Sequence, residues 1–135
     1  MTVSEVKTQL EEVQNAHRSY LLAKEEAERF RAAACGGTAK LSDVPHTGSG
    51  NGTENKLLML ISYENKADEL FGIYEERRLS AEAMICSLKN GFEREVLLRR
   101  YIFGQKWDEI SNKMCYSREH IRRIHNSAIK KLTDK

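Results

Sequence analysis

Near the end of this 135-residue chain, Arg118, Glu119, Arg122, Arg123, Asn126 and Lys130 place charged and amide side chains one, three and four residues apart. On a helix that spacing gathers them on one side. A guanidinium can bond guanine through two parallel N–H groups, a carboxylate can accept from cytosine N4, and the cations around them can meet phosphates. The opposite side of the same stretch is apolar, with Ile121, Ile124, Ala128 and Leu132 at steps of three, four and four. Such a helix is fastened by one face and free to read with the other. A basic face by itself is more often a solvated surface, so the elements before it carry weight.

Those elements predict three short helices with two turns. The first spans about Glu93–Ile102, with Val96, Leu97 and Tyr101 toward an apolar side, and Phe103-Gly104 breaks it. The second spans about Lys106–Met114 and is expected to bury Trp107, Ile110 and Met114. Cys115-Tyr116 makes the turn, and Ser117 is a suitable N-cap for a third helix, Arg118–Leu132. The site read from these patterns is Ser117, Arg118, Glu119, Arg122, Arg123, Asn126 and Lys130, with double-stranded DNA as its partner.

Charge agrees. Residues 1–90 hold 11 Lys and Arg against 14 Asp and Glu, a net of −3, whereas residues 91–135 hold 11 against 6, a net of +5. An acidic front and a basic tail suggest two jobs, the tail facing a polyanion. His120 and His125 are expected to be solvent-exposed, within reach of phosphate, and His17 and His46 have no partners at catalytic or ligand spacing. Cys35, Cys86 and Cys115 are odd in number and unpaired in spacing, so three reduced thiols are expected, with no metal site. No catalytic triad, carboxylate pair or phosphate loop is visible, so neither an enzyme nor a cofactor is expected. No apolar run approaches the roughly 18 residues of a membrane span. The N-terminus lacks a signal-peptide pattern, so a cytoplasmic location and no membrane partner are expected.

Upstream, apolar or small residues recur at Val3, Val6, Leu10, Val13, Ala16, Tyr20, Ala23, Ala27, Phe30 and Ala34, a heptad seam with one three-residue stammer. A second seam runs through Leu57, Leu60, Ala67, Phe71, Tyr74, Ala81, Ile85 and Leu88, interrupted by Glu64 and Arg78. Gly72 costs the second helix about 1 kcal/mol relative to Ala, and Asn90-Gly91 is expected to end it. Between the seams, residues 35–53 hold five glycines and the only proline, Pro45. Gly36 fits a helix C-cap there, and the stretch HTGSGNGT is expected to be mobile.

The expected fold is therefore all-α. A long antiparallel helical hairpin (coiled coil) over residues 1–90, with a flexible loop at about 35–53, precedes a three-helix helix-turn-helix domain over 91–135. Two helices alone bury a thin core, so homodimerisation through the hairpin is one expectation.

The stretch FEREVLLRRYIFGQKWDEISNKMCYSREHIRRIHNSAIKKL resembles region 4 of sigma-70-type factors. Glu93-Arg94-Glu95-Val96, Arg100-Tyr101, Trp107-Asp108-Glu109-Ile110, Ser117-Arg118-Glu119, Ile121-Arg122, Ile124 and Ala128 through Leu132 carry the likeness. It implies a recognition helix that reads the −35 promoter element, with Arg118, Glu119, Arg122 and Arg123 facing the groove. Cys115 replaces the family's usual turn glycine, and Arg123 stands where Gln is common, so the turn and the base preference are open to change. The full layout also resembles small phage and prophage transcriptional regulators, with a loop like KLSDVPHTGSG and a YSRxxxxRIH signature from Tyr116 to His125. That likeness implies a role at late or packaging genes. No region-2-like segment is present, so promoter melting is not expected of this chain. Three readings stand: a sequence-specific DNA-binding transcription regulator, an RNA-polymerase-binding co-regulator, and a DNA-packaging recognition subunit.

Overall fold

A computed structural model describes residues 1–35 and 49–134. Five helices follow one another: α1 (Val3–Cys35), α2 (Ser49–Cys86), α3 (Gly91–Leu97), α4 (Trp107–Met114) and α5 (Arg118–Thr133), with no strand among the described residues. The expected loop at 35–53, including the Gly36 cap, falls mostly outside the described residues. The second helix, however, starts at Ser49 and not at 53, so the glycines at 50 and 52 lie in its first turns.

α1 and α2 pack antiparallel. Tyr20 stacks near Phe71 with ring centroids 5.0 Å apart, and ten residues further along α1 Phe30 meets Tyr63 at 5.2 Å. These contacts lie in one compact unit, His17–Ile73, where Ala23, Ala27 and Ala67 are buried between the helices. Small residues let the two backbones approach. The seam's polar exceptions are paired: Glu64 meets Arg31 across the helices, and Arg78, in the other unit, is held along its own helix by Glu75 and Glu82 at 2.9 Å each. Val3, Leu57 and Phe71 are more exposed than the seam predicts, at 45%, 57% and 43%.

The other compact unit joins Met1–Ala16 with Tyr74–Lys135. Its main core gathers Val6, Leu10 and Val13 of α1 with Ala81 and Ile85 of α2, Leu88, Leu97, Tyr101, and Ala128, Ile129 and Leu132 of α5. A second cluster holds Val96, Ile110 and Ile121, flanked by Trp107, Met114, Tyr116 and Ile124. α5 is thus gripped at both ends of its apolar face. Trp107 and Met114 are only half-buried, contrary to the sequence expectation, because they border the second cluster and do not enter it.

Two local departures have physical causes. Asn90 does not end α2, which stops at Cys86. Its side-chain oxygen instead accepts from the Phe92 and Glu93 N–H groups and starts α3. After Leu97 the helix widens into a π turn over Leu98–Ile102, closed by Phe103 N–H on the Leu98 carbonyl at 2.9 Å. Gln14 of α1 supplies a partner for the widened turn, donating from Nε2 to the Tyr101 carbonyl at 2.7 Å.

Candidate nucleic-acid interface

α4 and α5 are joined by a tight turn. Cys115 takes a left-handed conformation at φ 60°, ψ 35°, and its N–H bonds the Ser111 carbonyl. Cys115 is the one described non-glycine residue with positive φ, a conformation that side chains rarely take. Ser117 then caps α5, its hydroxyl accepting from His120 N–H at 3.2 Å. Ile121, Ala128, Ile129 and Leu132 of α5 are buried.

The outward side of α5 holds all seven residues expected at the site. Ser117, Arg118, Glu119, Arg122, Arg123, Asn126 and Lys130 are each exposed. Glu119, Arg123, Asn126 and Lys130 follow at steps of four, three and four, one line along the helix, with Arg118 and Arg122 beside it. Arg118 Nε lies 3.1 Å from Asp108 on α4. Among the described residues, Arg122, Arg123 and Lys130 make no ion pair, so their charge faces solvent. Beside the N-terminus of α5, Tyr116 makes T-shaped ring contacts with Phe92 and His120, with centroids 5.9 and 4.7 Å apart.

His125 is the one clear correction on this helix. It is buried, 5% exposed, not solvent-facing. Its Nε2 lies 2.7 Å from the Tyr101 hydroxyl, its Nδ1 3.2 Å from Asn126 Oδ1, and its ring meets the Trp107 ring at 5.1 Å. Arg100 stacks over the other part of that arrangement, 4.6 Å above the Trp107 ring. Burial, with Lys7 and Arg100 nearby, pushes the His125 imidazole below its ordinary pKa, although its bond to Asn126 opposes this. Burial likewise pushes the Tyr101 phenol up to about 12. The signal was in the sequence: position 125 lies four residues after Ile121 and three before Ala128, inside the apolar face.

Glu93 is also buried, and sequence reasoning missed its role. Its Oε1 accepts from Ser127 Oγ at 3.0 Å and Lys131 Nζ at 2.9 Å, tying α3 to the back of α5, while Oε2 has no hydrogen-bond partner. Cys86 and Cys115 are exposed free thiols. Among the described residues, no group of three or more His, Cys, Asp or Glu is placed to hold a metal, and no helix is long and apolar enough to cross a membrane.

Three short helices, a tight turn and a capped basic third helix define a helix-turn-helix of the DNA-binding class. Residues 91–134 match the sequence model of the family described as Sigma-70, region 4, a DNA-binding helix-turn-helix domain. No curated protein and no solved structure matches the chain.

Proposed function

We propose that the protein is a sequence-specific DNA-binding transcription regulator that reads the major groove with the outward face of α5. The observation that carries this reading is the line Glu119, Arg123, Asn126 and Lys130 with Arg118 and Arg122 beside it, all exposed on a helix whose other face is fastened in two apolar clusters. Arg118 and Glu119 stand in the first turn after the Ser117 cap, where recognition helices approach base edges. Arg122 and Arg123 supply forked donors, and Lys130 a phosphate contact one face-turn further on. Arg123 stands where the family commonly has Gln, so the base preference need not follow the familiar −35 sequence.

The phage setting and the late or packaging genes are assigned on the resemblance of the whole layout alone. The hairpin would dimerise or touch RNA polymerase. Docking on polymerase without reading DNA, or recognition within a DNA-packaging machine, are the outcomes that failure would favour.

Selection of bound sequences from random duplex DNA at near-physiological salt tests the reading. One enriched motif is expected, and a palindromic motif would identify a dimer. Folded protein that enriches nothing would contradict sequence reading and favour the polymerase-docking role.

A further inference from the structure

Tyr101, His125 and Asn126 form a hydrogen-bonded chain that runs from the core to the exposed face of α5. Asn126 Oδ1 is an acceptor 3.2 Å from His125 Nδ1, so the two form a hydrogen bond when Nδ1 carries the ring proton. A neutral imidazole has one proton, which leaves Nε2 as an acceptor for the Tyr101 O–H at 2.7 Å. The ring is buried, with the cations Lys7 and Arg100 nearby, and both burial and these charges favour the neutral form. The neutral ring protonated at Nδ1 satisfies both partners, and in that form Tyr101 donates to Nε2 while Nδ1 donates to Asn126.

The consequence falls on Asn126, the exposed end of the chain. Reading adenine requires the amide to present oxygen and nitrogen together, accepting from N6 and donating to N7. Here the oxygen is engaged by the histidine, while Asn126 itself is exposed and its NH2 group remains available as a donor. We propose that the Tyr101–His125–Asn126 chain makes Asn126 a donor-only contact to DNA, directed at guanine O6 or N7 or at a phosphate oxygen, and not an adenine reader. This rests on the DNA-reading role of α5 argued above. His125 and Tyr101 are positioning residues: they act through the amide they orient.

Two measurements on the full chain test this. Nitrogen-15 spectra of the imidazoles, without DNA, are expected to show His125 protonated at Nδ1 and bare at Nε2 near neutral pH. An Nε2-protonated ring or an imidazolium would overturn the chain. The second measures affinity for the duplex that wild-type protein selects. Asn126→Asp keeps the acceptor for His125 but removes the outward donor, so it is expected to weaken binding by about tenfold, as Asn126→Ala does. A loss confined to one guanine pair identifies a base edge, and a loss uniform across sequences identifies phosphate. Tyr101→Phe is expected to weaken binding in the wild-type background and to have no further effect beside Asn126→Ala, whereas a merely structural role would weaken both backgrounds equally. Equal weakening would overturn the proposal, as would wild-type affinity in Asn126→Asp or a motif with adenine at the Asn126-dependent pair. These results leave the DNA-reading role standing, whereas a wild-type protein that enriches no sequence would overturn both.

Discussion

Gln14 Nε2 donates to the Tyr101 carbonyl at 2.7 Å, across 87 residues of sequence. Through this bond and the burial of Val6, Leu10 and Val13, the first turns of α1 belong to the same core as the last turns of α5. The helix-turn-helix is short of apolar surface by itself, because its own cluster has three fully buried members, Val96, Ile110 and Ile121. Residues 1–16 are therefore expected to stabilise it.

Removing residues 1–16 should unfold or greatly destabilise the C-terminal segment. Leu10→Ala, which leaves a cavity in the core that also holds Ile85 and Leu132, should cost about 2–5 kcal/mol. Denaturant titration of the full chain and the truncated chain checks both. A truncated chain as stable as the whole would show that the C-terminal helices hold together alone.

Two turn positions should respond in opposite directions. Gly104 has φ +71°, and a Cβ there would stand 2.8 Å from Gln14 Oε1, so Gly104→Ala should destabilise by roughly 1–3 kcal/mol. Cys115 holds a left-handed backbone with a side chain, so Cys115→Gly should stabilise by on the order of 1 kcal/mol. Thermal unfolding of the two variants measures this, and a stabilised Gly104→Ala would contradict the account of that turn.

Much of this was legible beforehand. Val6, Leu10, Val13, Ala81, Ile85 and Leu88 all fall on the expected seams and are buried, because a heptad pattern needs nothing beyond helical geometry to be read. The α5 face and its Ser117 cap were equally local. What escaped depends on distant partners. Gln14 reads as an ordinary surface glutamine until the π turn at Leu98–Ile102 presents it with carbonyls. His125 reads as polar until Tyr101 and Trp107 enclose it. Asn90 looks like a helix end because asparagine serves both ends of helices, and only the bonds from Phe92 and Glu93 show which one it caps.

Stability should fall with acid through His125. Tyr101, Trp107 and Asn126 surround its ring, Lys7 and Arg100 oppose a positive charge there, and its folded pKa lies below the unfolded value of about 6.5. The unfolded chain takes up the proton first, so this contribution is full above about pH 6.5 and is lost as pH falls below that toward the folded pKa. Urea unfolding of the wild type and His125→Leu at pH 7.5 and pH 5 should show the smaller pH dependence in the variant. An identical dependence in both would assign the effect elsewhere.

Lys130 stands on the exposed line without an ion pair among the described residues. As a phosphate contact, its replacement by Ala should weaken binding to all sequences alike and reduce the slope of log affinity against log salt by about 1. Affinity measured across a salt series decides this, and an unchanged slope would remove Lys130 from the interface.

The most direct test of the central claim replaces Arg118, Arg122 and Arg123 together by Ala and measures binding to the wild type's selected duplex, with helicity checked in parallel. All three side chains are exposed, so the fold should persist. The account predicts that specific binding disappears. A folded triple variant that binds its site as tightly as the wild type would show that this face of α5 does not read DNA.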